Sequence, residues 1–365
     1  MINLLIKTGY PFVTFRYPHE SEFINIVQND REINTFRPDE MPDLSGFFLA
    51  PFDEGSRVPP VYIRHDLSYT WAPGHEGSGP VALQKPETAT SHDTYIPGEK
   101  DYLKKIREVL TRIEQGQAEK VVLTRPEAIP LPEVFDFTAF FTILHHQYPA
   151  AFIFLVYLPG RGIWVGATPE VLLNATGPYY ETTALAGTLP LDEDRNIPGW
   201  SPKELHEQQI VTDYILEELR RAGFRTVPDK GPHTVVAGGM AHLETTIRIA
   251  RTGQPKDIAR LLKALHPTPA ICGYPQDAAL EILRETELYD RQYYTGYLGP
   301  WNTRYPSRLY INIRSMQFLP GIRRALLYAG GGLTAASVPE KEWEETRLKM
   351  NTLLSVLEKM PNFTG

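Results

Sequence analysis

The sequence of 365 residues contains one cysteine, Cys272. A single thiol cannot form a disulfide within the chain, and it cannot build a thiolate metal site. No run approaches ~18 consecutive apolar residues, which excludes a membrane-spanning helix. The apolar start, Met1–Lys7, is too short for a secretory signal peptide and lacks its basic region. These absences predict a cytoplasmic protein with no membrane partner.

A concentration of positive charge is also missing. The chain has 37 basic and 44 acidic residues, a net charge of −7, and no run of lysine or arginine. Nucleic-acid-binding proteins usually carry a basic patch, so no nucleic-acid partner is expected. An anionic small molecule would have to be attracted by a local cluster of cations. The hydrophobic content of 42% is sufficient for a large core.

The chain changes character near residue 95. Residues 1–95 contain short strand-like runs, and residues 59–98 read as a loop rich in Pro, Gly, Ser and Thr that wraps on the core. From residue 96 to about 360, helical spacing and paired strand patterns follow one another without strict alternation. This favours an α+β fold over a doubly wound parallel sheet. We predict one compact unit, with residues 1–95 packed on a catalytic domain of residues 96–360.

Two predicted helices, each beginning with a capping box, carry carboxylates that are candidate metal ligands. Glu207 lies on the apolar face of the helix from Pro202 to about Arg221, and Glu342 and Glu345 share a face of the last helix. Carboxylates at this spacing can hold a hard cation such as Mg²⁺. The alternatives are that Glu207 lies at the rim of its face, and that the other two form a solvated acidic first turn with Glu345 paired to Lys349.

Three further features are candidates for anion binding or catalysis. The glycines of Tyr328–Gly332 free backbone N–H groups for close approach to an anion, although the segment is equally typical of a tight turn. Arg314 lies in an alternating strand and would need an anionic partner, such as a carboxylate, if it pointed inward. Lys120 opens the strand Val121–Leu123, a position where lysines usually face solvent.

Nine segments, taken in order, resemble the chorismate-utilising enzyme family. They are Glu119–Arg125, Val165–Leu173, Leu185–Thr188, Lys203–Glu207, His266–Gly273, Tyr294–Gly296, Ile313–Ser315, Tyr328–Gly332 and Pro339–Thr346. They span about residues 95 to 358, and the first hundred residues carry no such motif. His266-Pro-Thr-Pro-Ala resembles the isochorismate and salicylate synthase branch. Ala186 stands where aminodeoxychorismate synthases place a nucleophilic lysine, which also fits water as the nucleophile.

The resemblance implies a fold of antiparallel β-sheets flanked by helices and a Mg²⁺-dependent conversion of chorismate into isochorismate. In that reaction Lys120 is the general base that activates water, and Glu170 is the general acid that protonates the departing hydroxyl. Such a base needs a lowered pKa and such an acid a raised one. Glu207 and Glu345 match the Mg²⁺ ligands, with Glu342 beside them. The implied substrate contacts are Gly187, Thr188, His266, Tyr294, Arg314, Gly330, Gly331 and Gly332.

The resemblance leaves two alternatives open. A salicylate synthase would form isochorismate and then eliminate pyruvate at the same site, and an inactive paralogue would only bind. Gln208 departs from the histidine that usually follows the metal-binding glutamate. We expect a monomer without a glutamine amidotransferase subunit. The downstream pathway, whether menaquinone, siderophore or salicylate, stays open.

Overall fold

The computed structural model describes residues 1–73, 79–82, 95–190, 199–228, 231–237, 240–254, 256–361 and 363. The helices are α1 (Ile2–Thr8), α2 (Glu99–Glu114), α3 (Phe137–Gln147), α4 (Pro202–Arg221), α5 (Asp257–Leu265), α6 (Gln276–Thr286) and α7 (Pro339–Leu357). Short 3₁₀ turns cover Pro38–Asp43 and Pro320–Ile322. Among the described residues, no helix has the length and apolar character needed to traverse a bilayer.

The strands are, in chain order, β1 (Phe12–Arg16), β2 (Phe23–Val27), β3 (Asn34–Thr35), β4 (Gly46–Ala50), β5 (Val61–Arg64), β6 (Leu67–Trp71), β7 (Val81–Ala82), β8 (Lys120–Pro130), β9 (Val134–Phe135), β10 (Phe152–Leu158), β11 (Gly162–Thr168), β12 (Val171–Thr176), β13 (Tyr179–Pro190), β14 (Thr226–Pro228), β15 (His233–Ala237), β16 (Met240–Ala250), β17 (Gly273–Tyr274), β18 (Tyr297–Trp301), β19 (Arg308–Ile311), β20 (Ser315–Leu319) and β21 (Arg324–Leu333).

Most strands belong to two large antiparallel sheets. The first sheet has the order β17-β8-β21-β20-β11-β10-β1-β2-β6, and the second has β14-β16-β13-β12-β19-β18-β4-β5-β3 with β15 added beside β16. Neighbouring strands run antiparallel in both sheets. The α+β prediction, with antiparallel sheets flanked by helices, is therefore confirmed.

The two sheets pack face to face over a shared aromatic core. Phe15 and Phe152 of the first sheet and Phe47 and Tyr310 of the second lie in one cluster of buried residues, and the rings of Phe152 and Tyr310 stack with their centroids 4.0 Å apart. Stacked aromatic pairs stabilise such an interior beyond the area they bury. The remaining core lies outside this sandwich. Helix α4 covers the second sheet at β13 and β16, with α5 packed beside it. Helices α2 and α6 pack on β8 of the first sheet, and α3 and α7 cover β10 and β21 of the same sheet.

The first 71 residues contribute strands to both sheets. Strands β1, β2 and β6 extend the first sheet beyond β10, whereas β4 and β5 extend the second beyond β18. The interpretation of residues 59–98 as a loop is wrong for its first part, since β5 and β6 lie there. Val61 and Ile63 alternate inward and are buried in the sandwich core, which supplies the burial that a short run of apolar residues needs.

Candidate active site

The glycine segment and the candidate base lie on adjacent strands. In the pairing of β21 with β8, Gly332 lies opposite Val122, two residues from Lys120. A methyl group added at Gly332 would lie 2.9 Å from Cε and 3.6 Å from Nζ of Lys120. Because carbon atoms need more room than this, a larger residue at position 332 would displace the end of the lysine side chain, and glycine leaves it room to cross the strand. Lys120 is half-buried there, so the expectation that such a lysine faces solvent does not hold.

Glu170, the candidate acid, sits in the link between β11 and β12. Its N–H donates to Thr168 Oγ1 over 3.3 Å, and its carbonyl accepts from the Ile311 N–H over 2.9 Å. Burial raises the pKa of the carboxyl to about 7, against the opposing effect of the nearby cations Lys120, Arg314 and Lys349. A carboxyl of this pKa is protonated in part at neutral pH, as a general acid requires. The structure thus brings Glu170 and Lys120 into one charged cluster.

Arg314 and Tyr294 lie beside Glu170. Arg314 falls in the link between β19 and β20, not within a strand, and has a left-handed backbone with φ of 50°. Its Nη1 donates to the Lys349 carbonyl over 3.3 Å, so the side chain points towards α7. Burial lowers its pKa, against the opposing effect of Tyr294, Glu170 and other groups. Burial also raises the pKa of Tyr294 to about 12, and its ring stacks on Tyr328 at 5.1 Å.

The first turns of α7 bring two carboxylates to the same glycines. A methyl group added at Gly331 would lie 2.9 Å from Glu342 Oε2. Burial raises the pKa of Glu342, and Glu345 adds to the effect. Glu345 itself pairs with Lys349 over 2.5 Å, which is the alternative that the sequence left open. Lys349 Nζ also donates to the Gly330 carbonyl over 2.9 Å. The i,i+4 spacing of Glu345 and Lys349 indicated the first contact, but nothing in the sequence indicated the contact of Lys349 with Gly330.

One carboxylate oxygen of this cluster, Oε2 of Glu342, is a candidate ligand for a cation. Glu342 Oε2 is buried and, within the part of the chain that the structure describes, has no hydrogen-bond partner. An unpaired buried carboxylate oxygen is costly, and a bound cation would satisfy it. The side chain of Glu207, the third predicted ligand, lies outside the described residues. Among those that are described, no three His, Cys, Asp or Glu side chains converge at metal-binding distance, so the ligand set stays a prediction.

The remaining predicted contacts lie on β13 and beside Tyr294. Gly187 forms a bulge with φ of 64° and approaches the Glu204 carbonyl of α4, where an added methyl would lie 3.2 Å away. The side chain of Thr188 lies outside the described residues. His266 donates from Nε2 to the Thr295 carbonyl over 3.0 Å. Burial lowers the pKa of His266 to about 4, so its ring is neutral at physiological pH.

Gln208, the departure noted on α4, has a defined structural role. Its Nε2 donates to the Ala184 carbonyl over 2.9 Å and to Thr245 Oγ1 over 3.0 Å. The side chain therefore ties α4 to the two strands β13 and β16 at once. It holds the first turns of the helix against the bulge at Gly187.

Comparison with known proteins agrees with this geometry. Residues 76–358 match the model of the family described as chorismate binding enzyme. Isochorismate synthase DhbC of Bacillus subtilis is 31% identical over 300 residues, which cover 77% of this chain and 74% of that protein. The salicylate biosynthesis isochorismate synthase of Pseudomonas aeruginosa is 32% identical over 283 residues, covering 74% of this chain. The match spans 58% of the Pseudomonas protein's own length.

Solved structures share the fold over nearly the whole chain. A structure of DhbC from Bacillus anthracis, assigned as a 2,3-dihydroxybenzoate-specific isochorismate synthase, has a TM-score of 0.74 and 25% identity, and covers 96% of this chain and 97% of its own. The menaquinone-specific isochorismate synthase MenF of Escherichia coli also has a TM-score of 0.74, at 20% identity, over 95% of this chain and 89% of its own. The chain belongs to the chorismate binding enzyme family, and its relatives lie on the isochorismate synthase branch.

Proposed function

We propose that this enzyme converts chorismate reversibly into isochorismate, acting as a Mg²⁺-dependent isomerase. The observation that carries the proposal is the placement of Lys120 and a Glu170 carboxyl of pKa about 7 in one charged cluster beside the glycine segment. An allylic displacement of hydroxide by water needs one proton removed and one supplied. A lysine and a partly protonated carboxyl are the residue types that can do both.

The proposed step exchanges one hydroxyl for another on the ring. Lys120 takes a proton from water as the water oxygen attacks ring carbon C2. The double bond shifts, the bond from C4 to its hydroxyl breaks, and Glu170 gives its proton to the departing oxygen, which leaves as water. Because one water enters and one leaves, the product is an isomer of the substrate. The reverse reaction uses the same groups with their roles exchanged.

Chorismate is a dianion, and the site supplies cations for its two carboxylates. Arg314 and Lys349, with the backbone of Gly330–Gly332 and the hydroxyl of Tyr294, would hold the enolpyruvyl carboxylate. Glu207, Glu342 and Glu345 would hold Mg²⁺, which when bound neutralises the ring carboxylate. Gly187, Thr188 and His266 would line the ring. The buried, unpartnered Oε2 of Glu342 is the observation that supports a cation at this position.

Product analysis tests the proposal directly. Chorismate incubated with the enzyme and Mg²⁺ should yield an equilibrium mixture of chorismate and isochorismate, approached from either side, with no pyruvate released. The reaction is followed by chromatography of samples quenched early and late, with pyruvate measured alongside. Stoichiometric pyruvate and salicylate, with isochorismate only transient, would identify a salicylate synthase instead. Formation of anthranilate from added ammonia would contradict the assignment to this branch.

The metal site is tested by Mg²⁺ binding rather than by turnover. Glu342→Gln removes the charge of the buried carboxylate and should weaken Mg²⁺ binding by roughly 10–100-fold, the loss typical of groups that support a metal site. Calorimetric titration with MgCl₂ measures this affinity on the protein alone. Glu340→Gln is the matched control, since Glu340 is on the same helical turn but pairs with Arg107 at the surface. Equal Mg²⁺ affinities for wild type and Glu342→Gln would remove Glu342 from the site.

We also propose that the enzyme works as a monomer in the cytoplasm, with no glutamine amidotransferase subunit. Water, rather than ammonia, is the nucleophile in the proposed reaction, so no ammonia-producing partner is needed. Size-exclusion chromatography with light scattering measures the mass in solution. A stable dimer at micromolar concentration would contradict the monomer.

A further inference from the structure

A buried ion pair lies beside β8, the strand that carries Lys120, along its outer edge. Arg291 Nε lies 2.7 Å from Glu287 Oε2, and Arg291 Nη2 lies 2.7 Å from Glu287 Oε1. The side chains are 2% and 6% exposed, respectively. Both residues lie in the segment after α6, and neither belongs to the catalytic cluster described above. Because the cost of burying two charges can exceed their attraction, a buried ion pair is weak evidence for stability, and its other contacts indicate what it does.

The pair replaces a neighbouring strand along the outer edge of β8. Strand β17 pairs only with Lys120 and Val121, and one more bond runs from the Val122 N–H to the Cys272 carbonyl over 2.8 Å. The next outward groups of β8 are bonded by the pair instead. Arg291 Nη2 donates to the Val122 carbonyl over 2.7 Å, and Glu287 Oε1 accepts from the Thr124 N–H over 2.7 Å.

These are two of the bonds that a continued antiparallel strand would make. Such a strand would donate to the Val122 carbonyl and accept from the Thr124 N–H, and here both bonds come from side chains. Thr124 adds a second bond, since its Oγ1 donates to Glu287 Oε1 over 2.8 Å. The guanidinium of Arg291 holds the carboxylate of Glu287 in place through both of its oxygens.

Away from β8, Arg291 makes hydrogen bonds to Ile271 and to the turn that contains Tyr294 and Thr295. Arg291 Nη1 donates to the Ile271 carbonyl over 2.9 Å and to Thr295 Oγ1 over 3.2 Å. The Arg291 carbonyl accepts from the Tyr294 N–H over 3.0 Å. Thr295 in turn supplies the carbonyl to which His266 donates. One guanidinium therefore connects β8 with the turn that carries Tyr294 and Thr295.

We propose that the Glu287–Arg291 pair is a positioning unit that fixes the start of β8, and with it Lys120, relative to Gly332 and to the Tyr294 turn. The inference rests on the proposed function, in which Lys120 is the base. Lys120 lies two residues from Val122, so a shift of β8 at Val122 moves the amine directly. Misplacement of a catalytic group by about 1 Å can cost 10²-fold in rate. The pair acts on turnover through Lys120, while the carboxylate-binding groups on α7 and Arg314 are left in place.

Glu287→Gln tests the proposal with the smallest change of shape. The amide oxygen still accepts from Thr124, but the charge that orders Arg291 is removed. We expect kcat to fall by about 10–100-fold, with KM for chorismate changed by less than about threefold. Mg²⁺ affinity, measured by calorimetry, should equal that of wild type. Thr124→Val, which removes the hydroxyl bonds to Glu287 and Tyr289 but keeps the backbone bond to Glu287, should give a smaller loss of kcat in the same direction, and it carries the test if Glu287→Gln does not fold.

Arg16→Met is the control for a merely structural role. Arg16 is fully buried at the other end of the first sheet and donates to the carbonyls of Tyr148 and Pro149, each over 2.8 Å. Its loss should lower the melting temperature with kcat unchanged. The proposal is overturned if Glu287→Gln or Thr124→Val keeps wild-type kcat, if KM rises in step with the loss of kcat, or if Arg16→Met loses as much kcat as they do. A wild-type enzyme that forms no isochorismate would refute the proposed function before any variant is compared.

Discussion

Replacing Lys120 by methionine should lower kcat by a factor on the order of 10² to 10⁴, the range for loss of a general acid or base. Methionine keeps the length of the side chain over Gly332 but carries no group that can accept a proton from water. The change should leave the fold intact, because Lys120 opens β8 and is not part of an apolar cluster. Initial rates of isochorismate formation at saturating chorismate and Mg²⁺ measure the effect, and the melting temperature confirms folding.

Lys359→Met serves as the control for this variant. Lys359 lies just beyond the end of α7 and donates to Gln147 Oε1 over 2.6 Å, remote from the glycine segment. Its replacement should leave kcat within about twofold of wild type, as is usual for surface substitutions. If Lys120→Met instead retained most of the wild-type turnover, another base would have to be found. The position of Lys120 over Gly332 would then be structural.

The helices were the most predictable part of the fold. Predicted helices from Pro202 to about Arg221 and from Pro339 to about Lys359 correspond to α4 and α7, and each begins at a Pro, a residue favoured at the first helical position. The capping box predicted for the last helix is wrong, since its N-cap residue is Val338 and makes no side-chain cap hydrogen bond. Helix α5 was not predicted, although Ile258, Leu261 and Leu262 form an apolar stripe that is buried in the structure. The spacing of these apolar residues is typical of a helix, so α5 could have been predicted from the sequence.

The N-terminal strands were harder to predict for a physical reason. Strand β6 pairs with β2, where Trp71 lies opposite Phe23, whereas β5 pairs with β4 in the other sheet. Two consecutive short strands that join different sheets leave no local pattern, because each depends on partners distant in sequence. Propensity is a weak guide where tertiary pairing decides the structure.

In the candidate site, too, local sequence motifs could be recognised, whereas contacts between segments distant in sequence could not be predicted. Family motifs identified Lys120, Glu170, Arg314 and Tyr294, and the structure brings these four residues together. Local pattern alone favoured a solvent-facing Lys120, because the pairing of β8 with β21 joins segments about 200 residues apart. The contact of Lys349 with Gly330 could not be predicted either, because the position of Gly330 depends on the same pairing. No feature of the sequence predicts that the Glu287–Arg291 pair stands in for a strand, since that role depends on where β17 stops.

Replacing Glu170 by glutamine should also lower kcat by a factor on the order of 10² to 10⁴, and it should change the shape of the pH profile. Burial raises the pKa of this carboxyl from 4.5 to about 7. The protonated form that the reaction needs is therefore lost in the free enzyme as pH rises through about 7, so wild-type kcat/KM should fall on the alkaline side. Glutamine does not titrate, and the residual activity of the variant should lack that alkaline fall. The measurement is kcat/KM for chorismate, with Mg²⁺ present, at a series of pH values.

Stability gives a second readout for the same carboxyl. A group whose pKa is higher in the folded state than in the unfolded one binds its proton more tightly when folded. Glu170 should thus stabilise the wild type as pH falls from about 7 towards 4.5, and Glu170→Gln should lack this gain. Glu181→Gln on β13, which breaks the ion pair with Arg248 of β16, should keep both the wild-type kcat and the alkaline fall. An alkaline fall that persists in Glu170→Gln would assign that titration to another group, and Glu170 would lose its role as the acid.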